Sequence, residues 1–181
     1  MKAIKRLLGL QVAQPDIRVL MVCSGNICRS PTAEGVLRTK LQRAGLADRV
    51  QVDSAGTHGF HVKEAPDPRA QRHARDRGYD LSRLRARRVQ GEDFVRFQRI
   101  LAMDEGHLDW LQDHAPPDAR ARVGLLMDHA VQHRQRREVP DPYYGSDADF
   151  RLVLDLVEDA CDGLVKDLGR ELAGLNQAGK A

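Results

Sequence analysis

The sequence predicts a single three-layer α/β domain, a four-stranded parallel sheet with helices on both faces. Three observations lead there. Short apolar runs of strand length alternate with stretches of helical periodicity, which is the pattern of strand–helix–strand crossovers. The first run, residues 17–22, is apolar or β-branched apart from Arg18, as expected for a central strand buried on both faces. A chain of 181 residues suits one domain better than two.

Taken in order, residues 1–16 read as a basic N-terminal extension, free to fray and with no assigned role, residues 17–175 as the domain and residues 176–181 as a C-terminal tail. Lys2, Lys5 and Arg6 precede an apolar patch at 7–13, but Gly9 and Gln11 break it, which argues against an export signal. The strand at 17–22 delivers Cys23 to its carboxyl end. After the polar turn Ser24-Gly25-Asn26, Ser30 is expected to cap a helix with Pro31 at its first position. Ala33, Val36, Leu37, Leu41 and Ala44 then follow at helical spacing as far as Gly45. Residues 50–52 form a second strand leading into Ser54-Ala55-Gly56-Thr57, and Asp67-Pro68 opens a helix that Gly78 closes. Residues 69–99 carry ten Arg against four acids and read as a solvated helical face. Residues 100–103 and 123–127 supply the third and fourth strands, with a helix around Leu108 and Leu111 between them. Ser146 and Asp149 then cap the most regular helix of the chain. Its stripe of Phe150, Val153, Leu154, Val157, Ala160, Cys161, Leu164 and Leu168 makes Cys161 a buried structural thiol.

Composition narrows the function. With 41% hydrophobic and 30% charged residues the chain is globular, and no run approaches the ~20 apolar residues that a membrane helix requires. A net charge of +3 is too near balance to attract a polyanion through the whole protein, so neither nucleic acid nor a membrane is expected as a partner. Three cysteines make neither a disulfide framework nor a four-ligand zinc set, which favours a reducing, cytoplasmic setting.

In parallel sheets ligands bind beyond the carboxyl ends of the strands, where Cys23 lies. The amides of Ser24, Gly25, Asn26, Ile27 and Cys28 can turn inward as an anion-binding nest, and the following helix aims its positive end into the same space. A thiol in such a position ionises readily, which makes Cys23 a nucleophile. Arg29 can fork onto two oxygens of a phosphoryl group, Ser30 can hydrogen-bond the sulfur as it leaves, and Gly25 admits close approach of backbone. Displacing an alkoxide or phenoxide also needs a general acid. Asp141 is the candidate, in a loop at 139–145 stiffened by Pro140 and Pro142, with Tyr143 and Tyr144 as a wall for an aromatic leaving group.

These residues resemble the low-molecular-weight protein tyrosine phosphatase family, in the bacterial type. The match runs in the family's order: the loop 23–30, Ser54-Ala55-Gly56-Thr57, Pro66-Asp67-Pro68, Ala86-Arg87, Glu92-Asp93-Phe94, Met103-Asp104-Glu105 and Asp141-Pro142-Tyr143-Tyr144-Gly145. The resemblance implies a phosphocysteine formed on Cys23, phosphoryl binding by Arg29, and general acid and base roles for Asp141. It also implies that Asn26 and Ser30 shape the loop, that Phe60 faces Tyr143 and Tyr144 across an aromatic pocket, and that no metal or other cofactor is used. Cys28 is implied as a redox partner for Cys23. A phosphotyrosine protein is the implied substrate, with a bacterial tyrosine kinase as a partner.

Two positions depart from the pattern: Leu84 stands where many members have a His that supports the loop Asn, and His107 where a small polar residue is common. The alternatives are a phosphoarginine phosphatase, disfavoured by Ile27 and the tyrosine pair, and an arsenate reductase, disfavoured because no cysteine lies between Cys28 and Cys161. An inactive phosphotyrosine-binding module is disfavoured by the intact Cys23, Arg29 and Asp141.

Overall fold

The computed structural model describes residues 14–178. Four strands form one parallel sheet in the order β2-β1-β3-β4: β1 (Ile17–Cys23), β2 (Val50–Gly56), β3 (Arg99–Ala102) and β4 (Val123–Leu125). Strand β1 is central and alternates between two cores. Ile17, Val19, Met21 and Cys23 face one layer, while Leu20 and Val22 face the other. The first layer holds α1 (Arg29–Arg43), α2 (Pro68–Asp76) and the terminal helix α5 (Asp147–Ala178). The second holds α3 (Asp93–Arg96) and α4 (Glu105–His114), packed on Val22, Ala55, Phe97 and Ile100. The three-layer α/β fold expected from the sequence is the one observed.

Local signals explain most boundaries. Asp67 accepts the Arg69 backbone N–H and places Pro68 at the first turn of α2, and Gly78, at φ 83°, follows its end in the left-handed region. Ser146 and Asp149 exchange bonds at the start of α5, and every residue of the expected apolar stripe from Phe150 to Leu168 is buried, Cys161 among them. Burial raises the Cys161 thiol far above its usual range.

Several expectations are corrected. Helix α1 begins at Arg29 and Ser30 does not cap it, because the Ser30 hydroxyl is drawn instead to Cys23 and Asn26. Strand β2 runs on through Ser54 and Ala55 to Gly56, held along its whole length by β1. Strand β3 starts one residue early, and β4 stops at Leu125, where Leu126–His129 wind into a 3-10 turn. The Arg-rich stretch is not one solvated helical face. It is the short helix α2, then turns, then the single turn of α3, and half of its arginines are tied to carboxylates: Arg69 to Asp67, Arg72 to Asp147, Arg77 to Asp155 and Glu158, Arg87 to Asp53 and Asp93, Arg99 to Glu171. Of the N-terminal extension, residues 1–13 lie outside the described residues.

Candidate active site

The carboxyl end of β1 opens into a loop that wraps tightly and enters α1 at Arg29. Asn26 takes a left-handed conformation at φ 58° and ties the turn from within. Its amide donates to Ser30 Oγ at 2.9 Å and to Ser54 Oγ at 2.8 Å, and its carbonyl oxygen accepts the Arg87 backbone N–H at 3.0 Å. The Ser54 hydroxyl donates in turn to Glu34 Oε2 at 2.6 Å. Burial pushes the Glu34 carboxyl above its usual range, against the bonds from Ser54 and Arg38. Since Ser30 Oγ accepts from Asn26, its own proton is free to reach Cys23 Sγ at 3.0 Å or the Ala55 carbonyl at 3.3 Å. Gly56 lies directly behind the loop, where a Cβ would sit 2.5 Å from the Ser24 carbonyl oxygen.

Arg29 is 4% exposed and held by two carboxylates from distant parts of the chain. Nη1 donates to Asp104 Oδ2 at 2.6 Å, and Nη2 donates to Asp141 Oδ2 at 2.9 Å. The first carboxylate is partly buried beside the guanidinium, and the second is half exposed at the mouth of the cleft. Asp104 also caps α4, its Oδ1 accepting the His107 backbone N–H at 2.8 Å. The His107 ring, itself 6% exposed, places Nδ1 2.7 Å from Asp104 Oδ1, too bent for a good hydrogen bond, and Nε2 2.8 Å from Ser24 Oγ. Burial works to raise the Asp104 carboxyl, but the His107 contacts and Arg29 outweigh it and hold it well below the usual carboxylate range. A chain of polar contacts thus runs from Ser24 through His107 and Asp104 to Arg29 and Asp141.

The cleft has a volume of about 240 Å³, with Cys23, Cys28 and Arg29 at its base and Phe60, His61, Asp141, Tyr143 and Tyr144 around it. Phe60 is 77% exposed and stacks on His58 with ring centroids 5.2 Å apart, while Tyr143 and Tyr144 meet edge to face at 4.9 Å. Arg69 fastens this rim. It pairs with Asp67 through two bonds, donates to the Tyr143 carbonyl at 2.9 Å and lies 4.7 Å over the Phe150 ring. All three cysteines are free thiols, and burial together with the nearby Asp67 raises Cys28 far above the usual thiol range. The expected site residues Cys23, Ser24, Gly25, Ile27, Cys28, Arg29, Phe60, Asp141, Tyr143 and Tyr144 therefore converge on one cleft, with Asn26 and Ser30 bracing its floor.

A buried thiol, an arginine and a carboxylate thus line one cleft. Residues 18–174 match the family model described as low molecular weight phosphotyrosine protein phosphatase. The chain belongs to this family. It is 42% identical over 160 residues to a low molecular weight protein-tyrosine-phosphatase of Streptomyces coelicolor, covering 87% of this chain and 96% of that one. It is 39% identical over 137 residues to the human low molecular weight phosphotyrosine protein phosphatase, covering 75% and 85%. Among solved structures, a protein tyrosine phosphatase from Entamoeba histolytica superposes with a TM-score of 0.83 at 36% identity, covering 86% of this chain and 98% of that one. The protein is an enzyme of the protein-tyrosine-phosphatase class.

Against that family, sequence reasoning missed the residues that act from behind. Glu34 reads as one more helix residue, yet its Oε2 accepts from Ser54, whose hydroxyl in turn accepts from Asn26, so it anchors the chain that holds the loop. Asp104 was part of a matched motif, but nothing in its spacing says that it reaches Arg29, 75 residues away. Arg69 was submerged in an Arg-rich run. The one usable signal was Asp67-Pro68, which puts Arg69 at a fixed place in a capped first turn.

Proposed function

We propose that this phosphatase hydrolyses protein phosphotyrosine through a phosphocysteine on Cys23, with Arg29 as the phosphoryl clamp and Asp141 as the proton donor and acceptor. The observation that carries the reading is Arg29 bridging Asp141 to the floor of the cleft that Cys23 lines. An incoming phosphoryl group displaces Asp141 from Nη2 and takes its place. The freed carboxyl group then stands one hydrogen-bond length from the phosphoryl oxygens, where the leaving group departs.

In the first step the Cys23 sulfur attacks phosphorus, the P–O bond to tyrosine breaks, and the phenolate takes a proton from Asp141. In the second, a water gives its proton to the Asp141 carboxylate and attacks phosphorus. The S–P bond breaks and the electron pair returns to the Cys23 sulfur, which the Ser30 hydroxyl stabilises from 3.0 Å. The loop amides and Arg29 hold the equatorial oxygens throughout, so charge that develops in the transition state meets fixed donors. Phe60, Tyr143 and Tyr144 favour a flat aromatic leaving group over a serine or an arginine side chain. Cys28 belongs to the same cleft and stands as the partner with which an oxidised Cys23 would close a disulfide, water leaving from the sulfenic acid.

Turnover of phosphotyrosine, phosphoserine and phosphoarginine peptides tests the reading. Phosphotyrosine is expected to be hydrolysed fastest and Cys23→Ser to abolish turnover. Asp141→Ala is expected to lose roughly 10²–10⁴-fold with poorly activated phenyl phosphates and much less with good leaving groups. Equal losses across leaving groups would remove Asp141 from the role of acid, and preference for phosphoarginine would replace the substrate.

A further inference from the structure

A second cavity, of about 540 Å³, shares no lining residue with the cleft. It opens between α5 and the strap that follows the 3-10 turn Leu126–His129. The strap is pinned at both ends. The backbone N–H groups of Val131, Gln132 and His133 all donate to the carboxylate of Asp159, a buried residue of α5, and beyond the cavity the Val139 N–H donates to the Met103 carbonyl at 2.8 Å. On the floor, Gly163 lets the His129 carbonyl come so close to α5 that any Cβ there would collide with it.

Into this space project Arg134, Arg136 and Arg137 from the strap and Lys166 and Arg170 from the helix, against two carboxylates, Asp128 and Asp167. Asp167 is already paired with His129 at 2.6 Å and Arg170 at 2.5 Å, and Arg137 with Glu105 at 2.7 Å. Among the described residues Arg136 and Lys166 have no carboxylate partner. Cations gathered on two walls repel one another, and an anion seated between them reverses the sign of that interaction. Guanidinium forks on one wall and an ammonium on the other suit phosphate oxygens. The cavity is of small-molecule size. Its other walls are Met127, His129, Ala130, Val131 and Gly163; no Phe, Tyr or Trp is among them, and the His129 ring is already tied to Asp167, so no large free aromatic face is offered to a nucleobase.

We propose that this cavity binds a compact polyphosphate, a small molecule with adjacent phosphate groups and no aromatic base, held between Arg134, Arg136 and Lys166. The site is independent of the chemistry assigned to the cleft. Calorimetric titration of the full chain with inorganic tripolyphosphate tests it, repeated with vanadate filling the cleft and on two doubly charge-reversed variants. Arg136→Glu with Lys166→Glu changes the cavity. Arg83→Glu with Arg85→Glu changes exposed arginines elsewhere. The expected result is binding that survives vanadate, falls at least roughly tenfold in the cavity variant, as loss of one charge-assisted contact implies, and is nearly unchanged in the other. Absence of binding, equal weakening in both variants, loss of binding under vanadate, or binding of a glutamate-rich peptide in place of tripolyphosphate would each overturn the proposal. All four side chains are exposed, so both variants are expected to remain folded, which circular dichroism checks.

Discussion

Arg29 is held by two carboxylates in unlike surroundings, and a pH series separates them. Asp141 is half exposed and free to leave, whereas Asp104 is enclosed by His107 and Arg29. The Asp104 carboxyl is held below its ordinary value in the folded state, so its stabilising contribution is fully present above the unfolded value of about 4. It declines as pH falls through that value toward the lower folded one, because the unfolded chain then takes up a proton that the folded chain does not. Urea denaturation of Asp104→Asn is therefore expected to show a clear loss of stability at pH 7 that shrinks as the pH is lowered below about 4. A deficit independent of pH would mean that the carboxylate is not coupled to Arg29 in this way. Asn26 teaches the same lesson at close range. A polar turn is legible in Ser24-Gly25-Asn26, but the left-handed conformation of Asn26 and its partners Ser54 and Arg87, which come from other segments, appear only on folding.

Among the elements, the strand-to-helix turn is where local rules and tertiary demands part. Ser30-Pro31 carries every mark of a helix cap, yet Ser30 serves the thiol and the helix starts two residues earlier without a side-chain cap. Without a side-chain cap the first turn of the helix keeps N–H groups that no capping side chain satisfies, at the end of the helix where Cys28 and Arg29 line the cleft, an arrangement that suits an oxyanion. Strand β2 supports the turn from behind through Gly56. Its replacement by Ala would drive a Cβ into the Ser24 and His58 carbonyl oxygens and displace the loop backbone. Gly56→Ala is expected to cost about 1–3 kcal/mol in stability and to depress turnover more than KM, as measured by thermal unfolding and steady-state kinetics. A variant with unchanged kinetics would show that the loop tolerates movement there. The over-extended fourth strand has a similar cause: 123–127 is apolar enough for a strand, but only Val123, Gly124 and Leu125 find partners on β3, so the chain winds into a 3-10 turn.

Across the whole molecule, the near-balanced charge proves to be organised rather than dispersed. Five arginines of the Arg-rich stretch are bound to carboxylates, four of them to carboxylates of other elements, and a further group converges on one cavity. The proposed chemistry of the cleft draws on sulfur, a guanidinium and a carboxyl group alone. Prolonged dialysis against EDTA is accordingly expected to leave phosphotyrosine turnover unchanged while vanadate abolishes it, and a loss restored by added metal would refute that chemistry. The sequence by itself determined the layer order, the parallel sheet, the buried stripe of α5 and the loop from Cys23 to Ser30, because hydrophobic periodicity and turn chemistry act over a few residues. Only the tertiary structure decided which carboxylates hold Arg29, what braces Asn26, how Arg69 fastens the tyrosine rim and where the free cations gather. Those contacts join residues dozens of positions apart, and the packing of helices on the sheet, which no local pattern encodes, brings them within hydrogen-bond reach.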